Sequence, residues 1–214
     1  EAPTMTTKTI QVINFNLDGI THDDFLNVAN EVAPHFAELP DLALKVWLSN
    51  ETNNTYGGVY SWEGQDALDA YRGGELYAGA LANNTNFSGL KDQGFDVLQG
   101  PTAITSNLSE TTPTYVQVIN FNLNGISLDE FMGVANDVAS DFAALPGLIA
   151  KSWLSDKANN TYGGMYLWET LEYCEAYRNG DLYAGALTNN PAFSNLTDRG
   201  FDVLEGPSRV TYMK

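Results

Sequence analysis

Hydrophobic and polar positions along this chain follow a fixed order of patterns, and that order occurs twice. The alternating, β-branched stretch "TIQVINFNL" (9–17) predicts a strand. Hydrophobic residues at helical spacing come next, behind Thr21 as the expected N-cap. Two more alternating stretches, at 42–49 and 56–63, flank the polar segment "NETNNT". Together they predict a β-hairpin after the first helix.

The remainder of each unit predicts a broken helix and a final strand. "QDALDAYRGGELYAGALANN" (65–84) has helical spacing, but two consecutive glycines interrupt it, so we expect two short helices. "GFDVLQGPTAIT" (94–105) predicts the last strand, with a bend at its Gly-Pro pair. Pro34 predicts an end or a kink within the first helix. The resulting order, β-α-β-β-α-β, is that of a ferredoxin-like fold.

The repetition covers nearly the whole chain. Residues 11–105 align with 117–211 without a gap, and about six positions in ten are identical, which indicates a duplicated domain. We expect a first ferredoxin-like repeat at 8–105, a linker at 106–114 and a second repeat at 115–212. Two helices shield only one face of a sheet. The sequence therefore predicts an α+β protein whose two units pack sheet to sheet, as an intrachain pseudo-dimeric α/β barrel.

Composition narrows the possible partners. The chain has 27 acidic and 10 basic residues, a net charge of −17, which disfavours nucleic-acid binding. No apolar run reaches the roughly 18 residues of a transmembrane segment. The first residues, "EAPTMTTKT", lack an initiator methionine. This favours an exported or organelle-lumen protein whose targeting peptide was removed, with a cytoplasmic protein as the alternative.

The two repeats share a set of large aromatic and polar residues, whereas the smaller apolar residues between them differ. One explanation is that large aromatic residues are difficult to replace in any packed sheet. The other is a small-molecule pocket with apolar walls and a few polar groups, closed by tyrosines of the broken helix. The candidate ligand-binding residues are Asn14, Trp47, Tyr60, Trp62 and Tyr71 in the first repeat, and Asn120, Trp153, Tyr166, Trp168 and Tyr177 in the second.

Conventional catalytic patterns are missing from the sequence. The only histidines, His22 and His35, are not repeated in the second copy, so we expect neither a metal site nor a paired histidine base. No phosphate-binding or dinucleotide-binding pattern occurs, and we expect no cofactor. Lys45 and Lys151 stand out because each lies two residues before a tryptophan. They are the candidate catalytic residues, with an anion anchor or an ordinary strand lysine as alternatives.

Two longer segments carry a family resemblance. "LKVWLSNETNNTYGGVYSWEGQDALDAY" (44–71) and "AKSWLSDKANNTYGGMYLWETLEYCEAY" (150–177) both contain Lys-x-Trp, a polar turn and Gly-Gly-x-Tyr-x-Trp. In these motifs the chain resembles the YdhR-like monooxygenases of the dimeric α/β-barrel superfamily. Members of that family are typically single ferredoxin-like units that dimerise through their sheets. The resemblance implies that this chain is a fused pseudo-dimer.

The resemblance also implies a function. The related antibiotic-biosynthesis monooxygenases oxidise polycyclic phenols to quinones without metal or flavin. It implies a cofactor-independent monooxygenase-like protein that binds a small aromatic compound in a pocket of each repeat. Lys45, Lys151 or a tyrosine would then take the place of the missing histidine base. The alternatives are a non-enzymatic acidic accessory subunit of a larger exported or organelle-lumen assembly, and a ligand carrier without turnover.

Overall fold

The computed structural model describes residues 8–106 and 111–212, and in them the two repeats form the same elements in the same order. The first repeat consists of β1 (Thr9–Leu17), α1 (His22–Ala37), β2 (Leu42–Asn50), β3 (Thr55–Trp62), α2 (Gln65–Arg72), α3 (Glu75–Tyr77), a π-helical turn (Ala78–Ala82), β4 (Phe87–Val97) and α4 (Gln99–Thr105). The second consists of β5 (Tyr115–Leu123), α5 (Leu128–Ala143), β6 (Leu148–Asp156), β7 (Thr161–Trp168), α6 (Leu171–Arg178), α7 (Asp181–Tyr183), a π-helical turn (Ala184–Thr188), β8 (Phe193–Val203) and α8 (Glu205–Thr211).

Each repeat contributes a four-stranded antiparallel sheet. The strand order is β4-β1-β3-β2 in the first and β8-β5-β7-β6 in the second. In the first sheet Tyr60 of β3 lies opposite both Gln11 of β1 and Lys45 of β2. The second sheet has the same register around Tyr166. This order confirms the predicted ferredoxin-like α+β units.

Two compact units can be distinguished among the described residues, and they differ from the sequence repeats at two places, the C-terminal end of each repeat. One unit holds the residues up to Phe95 together with those from Val203 onward, and the other runs from Asp96 to Asp202. Helix α8 therefore belongs to the first unit, where it packs on α1 and β2. Helix α4 belongs to the second unit, where it packs on α5 and β6.

The helices α1 and α5 begin as predicted. Thr21 and Asp24 form a complete capping box at α1, and Ser127 and Glu130 form one at α5. The expectation of an end or kink at Pro34 was wrong about the end, because α1 continues to Ala37. Pro34 removes one amide hydrogen bond and crowds the carbonyl group one turn earlier, but the buried Phe36 of the last turn packs in the core and holds that turn in place.

The prediction for the end of each repeat was wrong in part. The strand begins earlier, at Phe87, and ends at Val97, while the residues that contain the Gly-Pro pair form helix α4 rather than a bent strand. Pro101 is tolerated there because the first turn of a helix does not use its amide hydrogen. The broken helix was predicted correctly: α2 ends at Arg72, and α3 begins at Glu75.

The apolar core of each unit lies between the sheet and the helices. In the first unit, side chains of α1 pack against Phe15, Trp47, Tyr60 and Trp62 of the strands. The second unit repeats this arrangement. In the part of the chain that the structure describes, no helix has both the length and the apolar character to cross a bilayer.

Candidate functional site

A cavity of 390 Å³ lies in the first unit, between the sheet and helix α1. This volume is in the usual range for small-molecule sites. Its walls are mainly apolar and aromatic. They are formed by Phe15, Phe25, Val28, Ala29, Val32, Phe36, Lys45, Trp47, Gly57, Tyr60, Glu75, Leu76, Gly79, Ala80, Leu81, Asn84 and Phe87.

Lys45 is the basic residue of this cavity. Its side chain is buried, with 2% of the residue exposed. Nζ lies 3.4 Å from the ring centroid of Phe36, 3.3 Å from that of Trp47 and 4.6 Å from that of Tyr60. Among the residues that the structure describes, no carboxylate forms a salt bridge with it. Lys45 is thus an unpaired amine enclosed by three aromatic rings.

The environment of Lys45 favours the neutral amine. Burial lowers the pKa of Lys45 well below its ordinary value, because the charged form loses its hydration. The faces of the three rings oppose this effect, since each attracts a cation by about 2 kcal/mol when desolvated. Removing an ammonium group from water costs several kcal/mol, and none of the described carboxylates forms an ion pair that would offset that cost. We therefore regard the lowered pKa as the net effect.

A side chain is excluded for different steric reasons at the two consecutive glycines of β3. Gly57 has φ of 149°, and a Cβ at this position would overlap the carbonyl oxygen of Ile13 on the neighbouring strand. A Cβ on Gly58 would lie 3.1 Å from Cε of Lys45 and equally close to the Tyr60 ring. Gly57 thus permits the close approach of β1, and Gly58 leaves room for the buried lysine.

Trp47 is held in place by helix α8. Its indole Nε1 donates to Oγ1 of Thr211 at 3.1 Å, and its backbone N–H donates to Oγ of Ser208 at 2.9 Å. Thr211 in turn donates to the backbone oxygen of Lys45 at 2.6 Å. The indole N–H is therefore occupied, and Trp47 offers the cavity an apolar ring. The second unit has the same bonds between Trp153 and helix α4.

Tyr60 and Tyr71 form a hydrogen-bonded pair of buried hydroxyl groups, 3.2 Å apart. Burial is the main reason why the pKa of Tyr60 lies well above its ordinary value, and burial likewise raises the pKa of Tyr71. The same applies to Tyr166 and Tyr177. These phenols stay protonated near neutral pH.

A second cleft, of 310 Å³, adjoins helices α2 and α3. Trp62 and Tyr71 line this cleft and not the first cavity, whereas Trp47 and Tyr60 line the first cavity. Glu75 and Leu76 of α3 border both. The structure therefore divides the predicted set of aromatic residues between two neighbouring spaces.

Asn14 and Asn120 are not brought to the cavities. Asn14 lies opposite Gly57 in the β1–β3 ladder, so its side chain is on the other face of the sheet from Tyr60. Its Nδ2 donates to the backbone oxygen of Tyr56 at 3.4 Å. Asn120 makes the same contact with Tyr162. Both asparagines support the sheet backbone in this structure.

Sequence reasoning missed a carboxylate that organises the same region. Asp92 accepts hydrogen bonds from Nε2 of Gln11, from the guanidinium of Arg72 and from the hydroxyl of Tyr77. Oε1 of Gln11 accepts in turn from Nε1 of Trp62 at 3.0 Å. Asp198 holds the equivalent network in the second unit. The identical arginine, tyrosine and aspartate in both repeats were an available signal.

This network lowers the pKa of Asp92 and connects helix α3 to strand β4. Burial alone would raise the pKa of Asp92, but the hydrogen bonds from Arg72, Gln11 and Tyr77 outweigh it and lower the pKa. Because Tyr77 belongs to α3, the bond to Asp92 anchors the helix that separates the cavity from the cleft. This hydrogen bond fixes the segment at one point.

The cavity of the second unit is nearly closed, with a volume of 30 Å³. Every residue that lines it is identical to the residue at the equivalent position of the first cavity. Lys151 lies 3.5 Å from the ring centroid of Phe142 and 3.4 Å from that of Trp153, as Lys45 does in its own cage. The first cavity extends further, to Glu75, Leu76, Gly79 and Asn84, and of these only Glu75 differs from its equivalent in the second repeat, Asp181.

Fold and site together define a class: a duplicated ferredoxin-like protein in which each unit buries an unpaired lysine under an aromatic cavity. Among the residues that the structure describes, no cluster of histidine, cysteine and carboxylate side chains is suited to a metal ion. The family model described as "Putative mono-oxygenase ydhR" matches residues 10–108 and again residues 116–214. The chain belongs to this family, with one copy in each repeat.

Solved structures show the same fold at low sequence identity. A protein from Fusobacterium nucleatum described as a "putative monooxygenase" has a TM-score of 0.72 at 11% identity, over 94% of each chain. A "putative monooxygenase" from Lactobacillus acidophilus has a TM-score of 0.64 at 11% identity, over 92% of this chain and 94% of its own. An "anthrone oxidase-like protein" has a TM-score of 0.61 at 15% identity, over 92% and 91%. A comparison of the sequence with curated proteins finds no match. Family membership supports a monooxygenase-like function, and the solved structures support the fold.

Proposed function

We propose that this protein is a cofactor-independent monooxygenase that binds a small aromatic compound in the cavity between the sheet and the helices of its first repeat. The observation that carries the proposal is the position of Lys45, an unpaired amine at the wall of a 390 Å³ apolar cavity. An apolar cavity with one convergent polar group is the usual form of a small-molecule site. The open cavity favours a ligand-binding protein over an accessory subunit without a ligand.

The walls indicate the class of compound. Phe36, Trp47 and Tyr60 offer ring faces and edges, which suit a planar aromatic ligand. The likeness to an anthrone oxidase-like protein concerns that protein, but it supports polycyclic phenols as the first compounds to test. An acidic hydroxyl or an acidic C–H next to a carbonyl would lie well against the amine of Lys45.

The chemistry that we propose begins with proton transfer. The neutral amine of Lys45 accepts a proton from the substrate, and the three ring faces stabilise the resulting ammonium. The substrate anion then gives electrons to O2. One oxygen atom enters the product as a carbonyl at a former CH2 carbon, and the other leaves as water with the two hydrogens of that carbon. This balance requires no further reductant.

Oxygen uptake with a panel of anthrones, hydroquinones and polyphenols tests the proposal. We expect oxygen uptake with at least one compound and its loss in Lys45→Met. Methionine nearly keeps the length of the lysine side chain but has no amine. Lys151→Met is the matched variant in the closed cavity and should retain more activity. If no compound of the panel is bound or oxidised by the unmodified protein, the proposal is wrong.

A further inference from the structure

The amine of Lys45 can also act as a nucleophile, a property that the proposed oxidation of an aromatic compound does not use. Its amine lines a cavity, is almost fully shielded from water and forms no ion pair among the described residues. The other titratable groups that line this cavity are Tyr60, which bonds to Tyr71, and Glu75, which belongs to α3. No salt bridge joins Glu75 to Lys45 in the described part of the chain.

A buried amine without a counter-ion is a nucleophile. The lone pair that would bind a proton in water is free to attack an electrophilic carbon, and lysines become Schiff-base residues in such desolvated surroundings. The aromatic walls favour electrophiles that carry a ring. An aldehyde group on such a ring is small enough to reach the amine while the ring occupies the apolar space.

We infer that Lys45 is a covalent binding site for small aromatic aldehydes, which it captures as imines inside the first cavity. The amine nitrogen attacks the carbonyl carbon and a C–N bond forms. The carbonyl oxygen then leaves as water, carrying the two hydrogens that the amine has lost. This inference shares the cavity with the proposed function but does not require that any compound is oxidised.

The second repeat supplies a built-in control. Lys151 has the same three aromatic neighbours at nearly the same distances, and its residue is also 2% exposed. Its cavity has only 30 Å³, which is too small for a benzene ring, whereas the cavity at Lys45 has 390 Å³. Capture therefore depends on space, and we expect Lys45 to react and Lys151 to stay unmodified.

Reductive trapping tests this inference. The intact protein is incubated with benzaldehyde and sodium cyanoborohydride at pH 7, digested, and analysed by peptide mass spectrometry. Borohydride delivers a hydride to the imine, and solvent supplies the proton, so the captured aldehyde remains as a stable secondary amine. We expect Lys45 to be modified at least about tenfold faster than Lys151, whose cavity has no room for the ring, and than the exposed Lys157.

Two variants separate capture in the cavity from surface reaction. Ala29→Phe places a ring in the cavity and leaves Lys45 in the chain, so modification of Lys45 should stop while that of Lys157 continues. Lys45→Met should remove the modified peptide altogether. The inference is overturned if Lys45 stays unmodified while Lys157 reacts, or if Lys45 and Lys151 react equally. Because trapping needs no oxygen uptake, its outcome is independent of the monooxygenase assay.

Discussion

The hydroxyl oxygens of Tyr60 and Tyr71 lie 3.2 Å apart, at the wall between the cavity and the neighbouring cleft. Tyr166 and Tyr177 form the same pair in the second unit, at 2.9 Å. In each pair a strand residue is joined to the helix that follows the hairpin. The bond therefore couples the side of the sheet that faces the cavity to the broken helix.

The first prediction concerns this pair. Tyr71→Phe leaves the buried hydroxyl of Tyr60 without its partner, so we expect a loss of about 1–3 kcal/mol in the free energy of unfolding. The double variant Tyr60→Phe with Tyr71→Phe removes both hydroxyl groups and should cost less than the sum of the single variants. Urea unfolding of the three variants measures the coupling. Additive losses would show that the bond contributes nothing.

The second prediction compares the two cavities. Ala29 and Ala135 are equivalent, nearly fully buried residues of α1 and α5, and each lines its own cavity. Ala29→Leu has space available and should be neutral or stabilising. Ala135→Leu overpacks a closed cavity and should cost about 1–3 kcal/mol. Thermal unfolding of the two variants checks this, and equal effects would mean that the cavities do not differ in size.

The third prediction concerns a steric exchange between the repeats. Gly147 has φ of 77°, and a Cβ there would overlap the ring of Tyr173. The first repeat has Asp41 and Ala67 at these positions. In the second repeat a glycine therefore lies next to a tyrosine, whereas the first repeat combines an aspartate with an alanine. Gly147→Asp should therefore cost more than about 2 kcal/mol, mainly through overpacking.

Removing the ring should relieve that cost. We expect Gly147→Asp with Tyr173→Ala to be more stable than Gly147→Asp alone, because the pair then matches the first repeat. Asp41→Gly in the first repeat is the matched control and should change the free energy of unfolding little. Circular dichroism during denaturation compares the variants. No recovery in the double variant would contradict the steric account.

The fourth prediction is a pH dependence at Asp92. Hydrogen bonds from Arg72, Gln11 and Tyr77 outweigh burial and lower the pKa of this carboxyl in the folded protein. The carboxylate therefore stabilises the fold above the pKa of an unfolded aspartate, about 3.9, and this contribution is lost as the pH falls through the lowered folded value. Asp92→Asn should reduce the free energy of unfolding at pH 7 by about 1–3 kcal/mol.

The difference between the unmodified protein and Asp92→Asn should shrink below about pH 4, because protonation then weakens the same bonds in the unmodified protein. Unfolding midpoints measured from pH 3 to pH 7 follow this convergence. Asp18→Asn, at an exposed position, serves as the reference for a general change in charge. A difference that stays constant over this range would exclude the carboxylate as its source.

The sequence could predict the elements and their order because these depend on local periodicity. The alternation in 9–17 defined β1, the capping residues Thr21 and Ser127 defined the starts of α1 and α5, and consecutive glycines broke the helix after α2. Helix α4 was predicted as part of a strand because it has only seven residues, three of them β-branched. So short a segment carries too little periodicity to distinguish a helix from a strand.

The site was only partly predictable. Strand alternation and hairpin register place Lys45, Trp47 and Tyr60 on one face, and all three line one cavity, while their role in binding or catalysis stays a prediction. Asn14 was misplaced because the relative register of β1 and β3 is not contained in either strand alone. The role of Asp92 was missed because its partners come from three other elements, β1, α2 and α3, and are up to 81 residues away.

The sequence by itself determined the duplication, the ferredoxin-like order of elements and the lysine and aromatic residues of each repeat, since these follow from identity and short-range pattern. Only the tertiary structure decided that Thr211 holds Trp47, which lies 164 residues earlier in the chain. It also decided that one unit holds a cavity of 390 Å³ and the other one of 30 Å³, although every residue that lines the smaller cavity has an identical counterpart in the larger one. Such features depend on which distant segments pack together and on small displacements of whole helices, and no local pattern encodes either.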